Sequence, residues 1–207
     1  MNEMAATTDR RLLRGAQTRR TIARHAADVA SLEGLNGLSI GRLATDLGLS
    51  KSGVQTLFGT KERLQLAAVE SAREVFSDQV VRPASQAQGG ADRLRALVEH
   101  WITYVQIPVF PGGCFWTATL PDFDSRPGPV RDLLADQHSD WLGRIAAELR
   151  AAVEAGQIAE LDVDLAAFQI DAVLTAANIA LRLGRGTAVD QARRVIESLL
   201  TPPGREA

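Results

Sequence analysis

Lys51 and Lys61 are the only lysines in a chain of 207 residues. Between and just before them lie Ser50, Ser52, Gln55 and Thr56, with Ser39 and Arg42 a little upstream. Ammonium and guanidinium groups neutralise phosphate charge, so Lys51, Lys61 and Arg42 read as backbone anchors. Hydroxyls and carboxamides hydrogen-bond phosphate oxygens or base edges. Gln55 suits the paired donor and acceptor of an adenine edge in a major groove; a water-bridged or phosphate contact is equally open to it. Thr56 suits a phosphate or a thymine methyl. Ser50 can cap a helix whose first N–H groups then favour a phosphate. This is the chemistry of gripping a duplex, not of breaking a bond.

Such side chains need a rigid frame. Residues 39–61 read SIGRLATDLGLSKSGVQTLFGTK. Ser39 caps a short helix to Leu47, Gly48 turns the chain, and Ser50 caps a second helix to about Leu57. Two short helices crossing steeply need a small residue at the crossing, which Ala44 supplies, and a turn residue tolerant of positive φ, which Gly48 supplies. Leu43, Leu47, Leu49, Val54 and Leu57 are spaced to clamp the pair onto a preceding helix. That helix is expected from near Thr18, burying Ile22, Ala26, Val29 and Ala30, and ending at Gly34 and Gly37. The pattern is a helix-turn-helix whose outer face carries Lys51, Ser52, Gln55 and Thr56.

Charge is divided to match. The whole chain is at -2, a poor sign for a nucleic-acid binder. Residues 1–60, however, hold eight bases against five acids, net +3, while residues 61–207 hold fifteen against twenty, net -5. Six arginines (Arg10, Arg11, Arg14, Arg19, Arg20, Arg24) fall in the first 24 residues. Residues 1–17 are expected to form a flexible Arg-rich arm. It is either a solvated tail or a reach into an adjacent groove.

The rest of the chain shows helical periodicity and no useful strand alternation. The expected fold is all-α, with about nine helices: a helix-turn-helix domain over 18–60, a larger helical domain over 61–201 and a tail at 202–207. Thr60 caps a helix reaching about Val81. Residues 82–90 read as a looser stretch, followed by helices near 91–107 and 114–120 and a loop from Pro121 to Pro129. Longer helices follow, ending at Gly156, at Gly184 and before Pro202. Residues 101–121 carry no formal charge, but Pro108, Pro111, Gly112 and Gly113 interrupt them, so they do not read as a membrane span. The lone Cys114 excludes an internal disulfide. With no signal-peptide pattern at the N-terminus, a soluble cytoplasmic protein is expected.

Six of the ten aromatic residues fall between 101 and 123. Apolar and aromatic walls with a few polar groups make small-molecule pockets. Trp101, Tyr104, Phe115, Trp116 and Phe123, with Trp141, Phe168, His138 and Asn178 on later helices, are therefore candidate ligand residues; for any single aromatic, a place in a filled core is the commoner role. The stripe Asp171, Thr175, Asn178, Arg182 fits a pocket wall, a subunit contact or a solvated face. A mostly apolar or aromatic ligand is expected.

Residues 18–64 resemble the DNA-binding domain of the tetracycline-repressor-like (TetR) regulators. The resemblance rests on Gly37-Leu38-Ser39-Ile40, Leu43-Ala44, Leu47-Gly48-Leu49-Ser50-Lys51, Phe58 and Lys61-Glu62. It departs at Gln55, where the family commonly has a Tyr that contacts the DNA backbone, and at Leu57, where His is common. The resemblance implies contacts to a double-stranded DNA operator from Lys51 and Lys61, a small-molecule effector in the second domain, and a homodimer formed by the last two helices. It also implies a repressor that its ligand releases from a palindromic site. No cofactor, metal or membrane partner is expected: the three histidines are far apart, no cysteine pair exists, and no phosphate loop appears. Two other readings are a DNA-binding protein without ligand response, and a small helical enzyme using Cys114 with His100 or His138.

Overall fold

The computed structural model describes residues 2–107 and 109–202, with side chains from residue 13 onward. Helix α1 spans Asn2–Glu33. It starts well before Thr18, so the stretch expected as an arm is helical: residues 2–17 hold three alanines, three arginines and two leucines, and no proline. Gly34, at φ +70°, ends it, and a 3-10 turn, Leu35–Gly37, leads on.

Helices α2 (Ile40–Asp46) and α3 (Lys51–Phe58) follow, joined through Gly48 at φ +64°. Their caps are those expected. Ser39 Oγ accepts the Arg42 N–H at 3.2 Å, and Ser50 Oγ accepts the Gly53 N–H at 3.1 Å. Leu43, Ala44, Val54 and Phe58 are buried against α1, with Leu47 and Leu57 packed beside them. Leu49 is not part of the clamp: it lies in the turn after Gly48 and is 38% exposed. Phe58 fills that role with a larger ring.

Thr60 caps α4, Lys61–Phe76. The helix then continues as a π turn, Ser77–Val81, and a last α turn, Arg82–Ala84. The expected loose stretch therefore begins only after Ala84. Pro83 has no N–H to give, and the widened turn before it takes up the break in the ladder. The remaining helices are α5 (Ala91–Gln106), α6 (Phe115–Phe123), α7 (Pro129–Glu154), α8 (Val163–Arg182) and α9 (Ala188–Leu199). Helix α6 runs through Pro121, where a loop was expected; so close to the helix end, the proline removes little. Pro129 opens α7 at its first position, and the Asp162 carboxylate caps α8 through the Leu165 N–H at 3.0 Å.

Nine helices and no strand are present among the described residues, in keeping with the all-α expectation. Helix α1 lies on α4 and α6, α4 lies on α7, and α8 is held between α7 and α9. One buried cluster runs unbroken from Ile22 through Phe58 and Trp101 to Ile196, so the two parts of the chain share a core. Helix α8 is long and apolar enough to cross a membrane by length and composition. Here α7 and α9 cover part of it. The uncharged segment 101–121 is split between α5 and α6.

Candidate functional site

All eight residues expected to face DNA are exposed: Ser39, Arg42, Ser50, Lys51, Ser52, Gln55, Thr56 and Lys61. Helix α3 presents four of them on one face because Val54 and Phe58 take the opposite face into the core. Several are already engaged within the chain. The Thr56 hydroxyl donates back to the Ser52 carbonyl at 2.8 Å, and the Gln55 amide donates to the Gly59 carbonyl. Lys61 Nζ donates to the Asn36 carbonyl at 2.6 Å. Arg42 is also engaged. It pairs with Glu33, which holds that carboxyl below its ordinary range, and lies 3.7 Å from Asp46.

Two of the N-terminal arginines brace the frame. Arg19 donates to the Leu57 carbonyl at 2.5 Å and lies 4.4 Å over the Phe58 ring. Arg24 donates to the Val109 carbonyl at 2.7 Å and lies 4.5 Å over Phe110. Arg14 and Arg20 are exposed, while the side chains of Arg10 and Arg11 lie outside the described residues.

A cavity of about 260 Å³ opens between the end of α4 and helices α5 to α8. Four of the nine expected ligand residues line it: Trp101, Trp116, His138 and Trp141. The other five do not. Tyr104 and Phe115 are buried behind the wall, where the Phe115 N–H points at the Tyr104 hydroxyl at 3.4 Å. Phe123 faces a separate hollow of about 290 Å³ that shares His138 and Leu120 with the first. Asn178 is buried, but its Oδ1 accepts the Cys114 N–H at 3.1 Å, so it holds a loop instead of lining the cavity. Phe168 is 64% exposed, because α8 turns Ala166, Ala167, Ile170, Leu174 and Ala177 inward.

The stripe on α8 has two jobs. Asp171 and Thr175 face the cavity. Asn178 and Arg182 clasp the turn between α5 and α6, Arg182 donating to the Pro111 and Val105 carbonyls at 3.2 and 3.3 Å. That turn also leans on α1. The Gly112 N–H donates to Ser31 Oγ at 3.0 Å, and the turn ends at Cys114, whose thiol burial pushes up.

Asp171 is fully engaged, accepting from Trp141 Nε1 at 3.1 Å and sharing a hydrogen bond with His138 Nε2 at 3.0 Å. The bond to Asp171 raises the His138 pKa above its ordinary 6.5, against the pull of burial. A raised pKa in the folded state means that the charged pair stabilises fully below about 6.5 and less as pH climbs through the higher folded value. The melting temperature, measured from pH 5.5 to 8.5 relative to Asp171→Asn, is expected to fall as pH rises. A difference that is flat or grows with pH would refute it.

Sequence reasoning missed Phe76, Ser77 and Val81 on α4, Thr117 on α6, and Gln137, Asp140 and Arg144 on α7. Gln137, Trp141 and Arg144 recur at helical spacing, which is the signal that the sequence offers.

Comparison with known proteins fits this geometry. The family model for the tetracycline repressor-like C-terminal domain matches residues 90–196. No curated protein matches the chain. Among solved structures, a TetR transcriptional regulator from Chloroflexus aurantiacus superposes with a TM-score of 0.82 at 24% identity, covering 89% of this chain and 94% of its own. AibR, solved with isovaleryl coenzyme A and operator DNA, gives 0.70 at 20% identity, with 89% and 98% covered. A protein from Saccharomonospora viridis, described as a transcriptional regulator and solved with choline, gives 0.74 at 24%, with 88% and 95% covered. At these identities the structures speak for the fold.

Proposed function

The chain belongs to the tetracycline-repressor-like family of transcriptional regulators, and on that premise we propose that it is a cytoplasmic, ligand-responsive repressor that binds a palindromic operator as a homodimer. The observation that carries this reading is the outer face of α3. Lys51, Ser52, Gln55 and Thr56 stand exposed on one side of a helix that is capped at Ser50 and anchored at Phe58. Lys51 grips phosphate, Ser50 and Ser39 leave helix N-termini toward the backbone, and Gln55 reads a base edge after leaving Gly59. Arg42 and Lys61 reach phosphates by exchanging their intramolecular partners.

The dimer is supported by α8 and α9. Leu165, Phe168, Ile179 and Leu183 are 53%, 64%, 48% and 69% exposed, with Ala172 and Ala176 exposed between them, and Val195 adds to the patch from α9. Small residues amid large apolar ones allow two helices to approach closely, and an exposed apolar patch of this kind calls for a partner. A two-fold dimer then sets its α3 helices about 34–36 Å apart, or a multiple of that. Of the similar structures, AibR is in complex with isovaleryl coenzyme A and operator DNA, and the Saccharomonospora viridis protein is in complex with choline. Both support an effector in the cavity here. Its occupation biases dimer geometry through the α5–α6 turn and α4, with coupling of ~1–3 kcal/mol.

A DNA-binding protein without ligand response leaves the cavity unexplained. Catalysis by Cys114 is disfavoured by a buried thiol with a raised pKa and by His138 being spent on Asp171.

The test is a gel shift with the intergenic DNA upstream of the gene, followed by selection of preferred sequences. Gln55→Ala is expected to change base preference. Lys51→Ala is expected to weaken all sequences alike and to lower the salt slope by about one unit. An unchanged preference for Gln55→Ala would remove that residue from base reading, and no retained DNA would sink the proposal.

A further inference from the structure

Two residues that line the cavity carry three buried polar atoms without a hydrogen-bond partner among the described residues: Trp116 Nε1, Gln137 Nε2 and Gln137 Oε1. Gln137 is only 8% exposed. Such groups are costly to leave unmet, so their pattern describes the molecule that would meet them. Together they offer N–H donors from the indole and the amide, and one carbonyl acceptor. Around them the wall is aromatic: Trp101, Trp141 and Phe76, the last set edge-on to Trp116 and Trp141 at 5.1 and 5.3 Å.

The fixed charges argue against an ionic ligand. Asp171 is already hydrogen-bonded to Trp141 and paired with His138, so a cation would have to compete with the imidazole for it. Arg73, Asp140 and Arg144, of mixed sign, sit at the rim, Asp140 and Arg144 exposed and Arg73 half-exposed in a pair with Glu70. An aromatic wall by itself would suit a quaternary ammonium. The unmet N–H groups would then face a positive charge. A carboxylate would satisfy those donors but leave Gln137 Oε1 without one and lose its own hydration.

Resting on the reading of this cavity as an effector site, we propose that its ligand is a small, neutral, flat molecule carrying an amide-type head (a carboxamide, lactam or imide) on an aromatic or apolar body. The head's C=O accepts from Gln137 Nε2, its N–H donates to Gln137 Oε1, and a ligand oxygen accepts from Trp116 Nε1. The body lies among Trp101, Trp141 and Phe76. At about 260 Å³ the space is below the ~300–1,000 Å³ usual for drug-sized ligands, so the molecule is small.

All three tryptophans of the chain line this cavity, so intrinsic fluorescence of the full chain reports its filling. The probes are benzamide, benzoate, choline and ethylbenzene. Benzamide is expected to bind about tenfold or more tighter than the other three. Gln137→Leu should bring benzamide down to the level of ethylbenzene, and Trp116→Phe should weaken it several-fold, with circular dichroism confirming the fold of each. Isosteric Gln137→Glu should also lose the benzamide preference. Tighter benzoate, choline or ethylbenzene binding, no response to any probe, or a preference that survives at Gln137→Leu and Gln137→Glu overturns the proposal. The outcomes separate from those of the function as a whole. Benzamide that binds without loosening DNA sinks the release reading and keeps the ligand class; DNA binding with no probe bound sinks the ligand class and keeps the DNA-binding reading.

Discussion

Phe58→Ala is expected to cost about 3–5 kcal/mol and to lower the melting temperature by roughly 6–20 °C. The ring is 1% exposed, lies beneath the Arg19 guanidinium at 4.4 Å, and closes the core that joins α3 to α1. Truncation leaves a cavity at the one place where a short helix has little else to hold it. Under the proposed function, operator affinity should be lost with the fold of the α2–α3 unit, since α3 can no longer present Lys51 and Gln55 at a fixed angle. Phe58→Leu, which keeps most of the volume, should retain DNA binding at a smaller thermal cost. Melts followed by circular dichroism and gel shifts check both. A wild-type melting temperature for Phe58→Ala would show that Val54 and Leu43 suffice.

Gly112→Ala is the second large effect. A Cβ at this position would lie 1.8 Å from the Ser31 carbonyl oxygen and 2.3 Å from its carbon. Both obstacles are backbone, so neither can swing aside as a side chain would. The turn must lift off α1 and lose the Gly112 N–H bond to Ser31 Oγ, at a cost of about 2–4 kcal/mol. Because that turn ends at Cys114 on the cavity wall, the lift separates the cavity from α1. Hydrogen–deuterium exchange should quicken across residues 109–114 and the end of α1, with α9 unchanged. Gly143→Ala is the control: it lies inside α7 with nothing within 4 Å of the added methyl, and should stabilise by about 1 kcal/mol. Equal melting temperatures for the two variants would refute the close approach at Gly112.

The helix-turn-helix was legible because its constraints are local. Ser39, Ala44, Gly48 and Ser50 each answer a demand made within a few residues, and the structure uses all four as read. The cavity is different in kind. Trp101, Trp116 and Trp141 stood out as bulky aromatics, yet Phe115 and Phe168, equally bulky, face elsewhere. Which face of a helix meets a hollow is decided by neighbours far away in the chain. Gln137 could not be singled out, because a glutamine on a long helix is ordinary until its amide is found buried without a partner. Asn178 and Arg182 share a helix stripe with Asp171, but only the path of the turn over them shows that they hold backbone. Arg10, Arg11 and Arg14 read as a charged arm by their charge, yet arginine is also a good helix former, and α1 already runs from Asn2.

The two lysines also fix where covalent amine chemistry can act. Apart from the chain terminus, every primary amine lies at the start of α3 or of α4, and both are exposed. Acetylation would therefore remove positive charge only from the end that carries α3, leaving the cavity untouched. Amine-reactive attachment to a sensor surface would likewise bury that end against the support, so immobilisation through a tag on the C-terminus is the orientation that leaves α3 free to test the proposed duplex contact.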